Sequence, residues 1–161
     1  MMWIALFSQT GSEIKTISEK LNRWPDIIIT TNRDIDAWCN NVPRDKVITA
    51  SPTAINNFLE NYNDKCFITL HGYLRILPNN ICSKHEIYNG HPGLITIYPE
   101  LKGKDPQEKV WMNIDSYMHI GSVVHRCTAE LDSGEVLHVV MCNNTCNSRD
   151  DLYNKLKETW I

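Results

Sequence analysis

Short runs of mainly apolar and β-branched residues, separated by longer amphipathic segments, constrain the fold of this chain more than any other feature. Three such runs are Trp3–Phe7, Ile27–Thr30 and Cys66–Leu70. An uninterrupted apolar run of this length is typical of a parallel strand that is buried on both faces. Between two of the runs, Ser51-Pro52 supplies a helix cap and opens a segment with apolar residues at helical spacing. The alternation predicts an α/β fold with a doubly wound, mostly parallel, Rossmann-like sheet.

The C-terminal part predicts a different strand arrangement. Two strand candidates, His119–Glu130 and Val136–Cys142, are separated only by a turn around Asp132-Ser133-Gly134. So short a connection favours an antiparallel hairpin, which gives the sheet an antiparallel C-terminal edge. A final helix is expected over Arg149–Trp160.

The segment before this hairpin is predicted to be irregular. Residues Glu100–Lys109 are rich in charge and contain Gly103 and Pro106, a composition typical of a loop. A helix over Gln107–Ile114 is expected to follow. We see no linker or repeat, so we expect one domain over residues 1–161.

Length and charge limit the classes of function. The chain of 161 residues suits one domain with a substantial core, and its net charge of −3 does not favour nucleic acid or an anionic membrane. No apolar run approaches the ~20 residues that span a membrane, and the opening Met1–Phe7 lacks the basic segment of a signal peptide. The six cysteines form no CxxC pair, so we expect free thiols in a cytoplasmic protein.

One set of residues has the chemistry of a zinc site. Cys82, His85 and His91 are of types that bind zinc. Their spacing matches no standard zinc motif, and no second Cys/His pair lies nearby. We therefore expect no metal site.

Polar residues stand where a predicted strand ends. Asn89, Gly90 and His91 follow an apolar run, and Pro92 stops the strand from continuing. In α/β proteins such strand ends collect ligands. Together with Asp132, they offer an amide, an imidazole and a carboxylate, a set that suits acyl transfer because the first two can stabilise an oxyanion. A core histidine and a turn aspartate are the alternative explanation.

Three motifs carry a resemblance to a known family. They read Asn89-Gly-His-Pro-Gly-Leu94, Gly121-Ser-Val-Val-His125 and Leu131-Asp-Ser-Gly134. This order resembles the 10-formyltetrahydrofolate-dependent formyltransferases, whose patterns are Asn-x-His-Pro-Ser-Leu, Gly-x-x-x-His and Leu-Asp-x-Gly. Gly11-Ser12 and Gly72–Leu77 also agree, so the resemblance covers almost the whole chain. It is strongest to the branch that formylates glycinamide ribonucleotide.

The resemblance implies a role for each catalytic residue. Asn89, His91 and Asp132 would form the catalytic group, and His125 would brace the loop that carries Asp132. A strand histidine with satisfied hydrogen bonds is the alternative for His125.

The resemblance also implies two folate-binding loops. The co-substrate would be 10-formyltetrahydrofolate, with no metal, and its pterin would be held by Arg75, Ile76, Leu77, Thr128, Ala129, Glu130 and Leu131. Apolar residues with exposed backbone polar groups suit a flat heterocycle. For Arg75 a surface salt bridge is an equal alternative.

The N-terminus of the first predicted helix is the candidate acceptor site. Thr10, Gly11, Ser12 and Glu13 follow the first strand, an arrangement that points backbone N–H groups at an anion such as the acceptor phosphate. A helix start capped by Thr10 or Ser12 explains the same residues equally well.

Three positions depart from the family pattern. Gly93 replaces the usual Ser and Thr96 the usual Pro, so we expect a looser loop after His91. Glu13 replaces Asn and would repel a phosphate. The acceptor is therefore open between glycinamide ribonucleotide and an amino-sugar nucleotide, and a non-catalytic folate- or nucleotide-binding module is a third alternative. The expected partners are small molecules, not nucleic acid or membrane, and the protein is expected to be a monomer or homodimer.

Overall fold

The computed structural model describes residues 1–128 and 134–160, the side chain of residue 160 excepted. Within these residues the chain forms seven strands: β1 (Met2–Phe7), β2 (Ile27–Thr30), β3 (Val47–Thr49), β4 (Cys66–His71), β5 (Glu86–His91), β6 (His119–Arg126) and β7 (Val136–Asn143). The α-helices in the same residues are α1 (Ser12–Leu21), α2 (Ile35–Trp38), α3 (Pro52–Asn61), α4 (Asn79–Lys84), α5 (Pro106–Met112) and α6 (Arg149–Trp160).

The strand order is β3-β2-β1-β4-β5-β6-β7. The β1–β2, β2–β3, β1–β4 and β4–β5 pairs are parallel, whereas β6 and β7 pair antiparallel. The predicted α/β fold with an antiparallel C-terminal edge is therefore confirmed. By contact density the chain divides into two compact units, Met1–Asn89 and the residues from Gly90 onward, which we call the N-terminal and C-terminal units.

The N-terminal unit is organised on β1. All of Trp3–Phe7 is buried, as a central parallel strand requires. After β1 and β2 the chain adds β3 on one side, and β4 then pairs with the other side of β1. The order therefore reverses between β1 and β4, and their carboxyl ends form the switch point at which open α/β sheets bind ligands.

Helix starts in the N-terminal unit follow local sequence. The Ser51 hydroxyl accepts from the Ala54 N–H at 3.1 Å, and Pro52 occupies the first turn of α3, as predicted. The apolar side chains Ile55 and Leu59 of that helix are buried. At α1, by contrast, Gly11 is the cap residue in the left-handed region (φ 69°), and no side chain caps the helix. The alternative, a helix start capped by Thr10 or Ser12, is therefore not found, because Gly11 occupies the cap position and Ser12 is the first helical residue.

The C-terminal unit is built around the β6–β7 hairpin and α6. Leu152 and Leu156 of α6 are buried as expected, and the Ser122 hydroxyl of β6 donates to the Leu156 carbonyl at 3.3 Å. A bulge interrupts the ladder at Val124/His125. β6 ends at Arg126, four residues before its predicted end, which lies outside the described residues.

The segment before the hairpin is more ordered than its composition predicted. A 3₁₀ turn spans Pro99–Leu101, and α5 begins at Pro106, after Asp105 in the left-handed region (φ 54°). Proline presets the φ angle of a first helical turn, which explains why the helix starts before Gln107. Among the described residues no helix is both long enough and apolar enough to cross a membrane.

Candidate active site

Strand β5 carries the amide and imidazole of the predicted catalytic group. Side chains alternate along a strand, so Asn89 and His91 project to one face and Gly90 lies between them. Asn89 is paired in the ladder with Leu70 of β4 and is half-buried, and His91 is 5% exposed. The strand ends at His91 because Pro92 follows, as predicted.

The His91 ring is held by the backbone. Its Nε2 donates to the carbonyl oxygen of Leu101 at 2.7 Å. Because a carbonyl oxygen only accepts, Nε2 carries a proton in both the neutral and the charged ring. Nδ1 is therefore the atom at which protonation changes the charge of His91.

The Leu101 carbonyl approaches closely because Gly93 lacks a side chain. A Cβ at Gly93 would stand 3.2 Å from the Cβ atoms of both Leu101 and Pro106, and 3.5 Å from the His91 ring. Such spacing is tighter than most side-chain contacts, and Leu101 is fully buried. Gly93 therefore permits close packing beside His91, and the looser loop expected from the sequence stays a prediction.

A second buried histidine stands beside His91. His125 is 2% exposed, and its ring centroid lies 6.5 Å from that of His91 at an interplanar angle of 63°. Its Nδ1 donates to the Arg126 carbonyl at 3.2 Å. The structure thus brings His125 to His91. Its predicted support of Asp132 is untested, because Asp132 lies outside the described residues.

The first proposed folate loop follows β4. Gly72 adopts a positive φ of 65°, the Ser8 N–H donates to the Gly72 carbonyl at 3.3 Å, and the Leu74 N–H donates to the Ser8 hydroxyl at 3.1 Å. Beyond this anchored turn Leu77 is buried, whereas Arg75 and Ile76 are exposed. No salt bridge of Arg75 occurs among the described residues, and both its folate role and its surface-pair alternative stay predictions.

The second proposed folate loop is described only at its start. Thr128 is exposed. The other predicted folate residues of this loop lie outside the described residues: Ala129, Glu130 and Leu131.

The candidate acceptor loop has one unexpected partner. The Thr10 hydroxyl accepts from the Ser12 N–H at 3.4 Å. Glu13 in the first turn of α1 does not extend into solvent: its Oε2 lies 3.6 Å from Nδ1 of His71, the last residue of β4. Sequence reasoning missed His71, which is separated from Glu13 by two strands and two helices and belongs to no motif.

Cys82 and His85, two of the three candidate zinc ligands, are bonded to nearby backbone carbonyls. His85 Nε2 donates to the Leu59 carbonyl at 2.6 Å, and the Cys82 thiol donates to the Leu77 carbonyl at 3.5 Å. Burial raises the pKa of the Cys66 and Cys82 thiols, which disfavours the thiolate that a metal needs. Within the described ranges no group of three or more His, Cys, Asp or Glu is arranged to hold a metal ion.

Comparison with family models decides the family. The model described as "Formyl transferase" matches residues 41–159, which is more than half of the chain and includes both Asn89 and His91. The chain belongs to the formyl transferase family. A comparison with curated protein sequences finds no match.

Solved structures show how this formyl transferase family member resembles others in fold. Glycinamide ribonucleotide transformylase 1 from Symbiobacterium toebii aligns with a TM-score of 0.79 at 20% identity, covering 99% of this chain and 82% of that one. A formyltetrahydrofolate deformylase from Pseudomonas syringae pv. tomato aligns with a TM-score of 0.69 at 15% identity, covering 99% of this chain and 57% of that one. A sugar N-formyltransferase from a Shewanella species aligns with a TM-score of 0.67 at 18% identity, covering 99% of this chain and 65% of that one. At these identities the likeness concerns the fold.

Proposed function

We propose that this formyl transferase family member moves the formyl group of 10-formyltetrahydrofolate to the amine of glycinamide ribonucleotide. The observation that carries the proposal is the pairing of Asn89 with a backbone-anchored His91 on one face of β5. The similarity to a glycinamide ribonucleotide transformylase over almost the whole chain supports the choice of acceptor.

In the proposed mechanism the acceptor amine attacks the formyl carbon and forms a tetrahedral oxyanion. The Asn89 side chain donates an N–H to this oxygen. His91 donates as the imidazolium, and the bond from its Nε2 to the Leu101 carbonyl holds the ring in place. One such donor is worth about 3–4 kcal/mol of barrier.

Proton transfer completes the proposed reaction. The attacking nitrogen loses a proton and the departing N10 of the folate gains one as its bond to the formyl carbon breaks. Asp132 is proposed to carry this proton through water and to favour the protonated form of His91 by its opposite charge.

The remaining predicted residues supply binding in this proposal. The pterin is held by the loop Arg75–Leu77 and by Thr128–Leu131, where the exposed apolar side chain of Ile76 offers contact to a flat ring. The acceptor phosphate binds at Thr10–Glu13. The protein acts as one domain in purine biosynthesis in the cytoplasm, as a monomer or homodimer, with no partner beyond its small-molecule substrates.

An acceptor panel tests the proposal. Purified protein is given 10-formyltetrahydrofolate alone, with glycinamide ribonucleotide, or with an amino-sugar nucleotide, and release of tetrahydrofolate is followed. We expect release only with glycinamide ribonucleotide. Release with the amino sugar alone would transfer the proposal to that acceptor, release without acceptor would indicate hydrolysis, and donor binding without any release would indicate a binding module.

A further inference from the structure

Glu13 and His71 form a buried pair of polar groups in the N-terminal unit that the mechanism above does not use. The His71 side chain is 5% exposed and that of Glu13 is 25% exposed. Oε2 of Glu13 and Nδ1 of His71 are both fully inaccessible and lack a hydrogen-bond partner among the described residues, although they face each other at 3.6 Å. Buried polar atoms in this state are uncommon in folded proteins and call for an explanation.

The contact on the other side of the His71 ring determines whether the Nδ1 atom that faces Glu13 carries a proton. The Trp3 indole N–H donates to the Thr69 hydroxyl at 2.8 Å, and that hydroxyl lies 2.7 Å from His71 Nε2. In the neutral ring Thr69 can donate to Nε2, which leaves the proton on Nδ1. In the charged ring both nitrogens carry protons. In either case an N–H is directed at the Glu13 carboxylate, whereas the remaining tautomer would place a lone pair against it.

The sheet topology explains why these two residues meet. Phe7 and His71 are register partners at the ends of β1 and β4. The chain leaves β1 through Ser8–Gly11 and enters α1, so Glu13 in the first turn lies above the end of β4. This location is the switch point of the sheet, where ligands bind in open α/β folds.

The charge of Glu13 conflicts with the proposed phosphate site. The first-turn N–H groups of α1 are suited to an anion, but a carboxylate on the same turn repels a phosphate unless it is compensated. Nδ1 of His71 lies 3.6 Å from the buried oxygen of Glu13 and compensates its charge when the ring is protonated.

We propose that His71 is a positioning residue that binds and neutralises Glu13, and so allows the first turn of α1 to accept the phosphate of the formyl acceptor. The inference rests on the proposed function for the identity of the acceptor. Glu13 and His71 together thus replace the neutral residue that the family resemblance leads one to expect at position 13.

A double-mutant cycle read by direct binding of inorganic phosphate tests this role. His71→Asn leaves Glu13 uncompensated and is expected to weaken phosphate binding about 10-fold or more. Glu13→Gln removes the repulsion and is expected to leave the affinity equal or tighter. The double variant is expected to recover to within about 3-fold of the wild type, a rescue that purely structural damage at His71 would not give.

Glu19→Gln is the matched control, because it removes the same charge from the exposed end of the same helix. It is expected to leave phosphate binding unchanged. Where glycinamide ribonucleotide is an acceptor, its KM should follow the same cycle while kcat and the KM for the folate donor stay constant.

Three outcomes overturn the inference: no binding of phosphate by the wild type at tens of millimolar, unchanged affinity in His71→Asn, or a double variant as weak as His71→Asn. Should His71→Asn fail to fold, Glu13→Gln still decides, since weaker phosphate binding in that variant contradicts the proposal. Binding of phosphate is measured without folate or amine. The inference therefore stands if the cycle holds but glycinamide ribonucleotide is not formylated. If glycinamide ribonucleotide is formylated but the cycle does not hold, the inference fails and the proposed function stands.

Discussion

The carboxyl ends of β4 and β5 each carry a buried histidine, yet the two rings are held by different kinds of partner. His91 Nε2 meets a carbonyl oxygen, which only accepts, whereas His71 Nε2 meets the Thr69 hydroxyl, which can donate or accept. The first contact fixes one tautomer, and the second adapts to a change of charge. The contact with Leu101 keeps the His91 ring in one orientation, which suits a group that stabilises an oxyanion as the imidazolium, whereas the contact with Thr69 accepts either protonation state of Nε2, which suits a group that compensates a carboxylate.

The largest expected effect tests the β5 side of this comparison. His91→Ala should lower kcat by at least ~100-fold and leave donor affinity nearly unchanged, because an oxyanion donor acts in the transition state. Asp132→Asn should have an effect of the same order through proton transfer. Steady-state kinetics and folate binding measure both.

His85→Ala is the matched control for His91→Ala. His85 is equally buried, and its Nε2 also donates to a backbone carbonyl, that of Leu59. This variant should lose stability but keep turnover per folded molecule. Near-wild-type kcat in His91→Ala, or an equal loss in His85→Ala, would contradict a chemical role for His91.

The next effect concerns the β4 side and its acceptor loop. Ser12→Asp adds a second carboxylate to the first turn of α1 and should raise the KM for glycinamide ribonucleotide about 10-fold by repulsion, with the KM for the folate unchanged. Thr53→Asp adds the same charge to the exposed first turn of α3 and serves as the control. Equal KM values for Ser12→Asp and the wild type would show that the acceptor phosphate does not bind in this loop.

A smaller effect tests why the Leu101 carbonyl can reach His91. Gly93→Ser places a Cβ 3.2 Å from Leu101 and Pro106, and this overpacking should cost about 1–3 kcal/mol in the free energy of unfolding. Urea denaturation measures it, with Thr96→Ala at an exposed position of the same loop as the control. An unchanged or higher stability in Gly93→Ser would show that the loop is loose.

The smallest effect comes from a polar contact at the opposite end of the sheet. The Asp26 carboxylate accepts the Trp3 N–H at 2.8 Å, which, with Arg23 nearby, lowers the pKa of Asp26. A lowered pKa in the folded protein means that the stabilisation is present above the ordinary Asp pKa of about 3.9 and is lost as the pH falls through the folded value.

Asp26→Asn should therefore remove part of the loss of stability on acidification below about pH 4. The side chain is 47% exposed, so the difference should not exceed ~1 kcal/mol. Denaturation at a series of pH values measures it, and an identical acid dependence in the variant and the wild type would contradict the assignment.

The sequence predicted those parts of the fold in which one local signal determines the outcome. Trp3–Phe7 is wholly apolar and Ile27–Thr30 nearly so, and both therefore form largely buried strands, while Ser51-Pro52 caps α3 by local hydrogen bonding. The start of α5 at Pro106 differs from the expected Gln107 because the charged composition of the segment resembles a loop and only the proline indicates a first helical turn.

The site was predictable only where a motif names the residue. Asn89 and His91 were found in this way. The Leu101 carbonyl that holds His91 has no side-chain signal, since any residue supplies a carbonyl. The contact between Glu13 and His71 depends on the order of strands in space. The replacement of the family's Asn by Glu13 does not indicate that order.

Transfer of an isotopic label tests the central claim most directly. The protein is incubated with glycinamide ribonucleotide and 10-formyltetrahydrofolate that carries ¹³C in the formyl group, and the products are followed by NMR and mass spectrometry. The account predicts ¹³C in a new formamide on the glycinamide nitrogen with the wild type, and at least ~100-fold slower labelling with His91→Ala. Label recovered only as free formate, or formamide formed equally fast by His91→Ala, would contradict it.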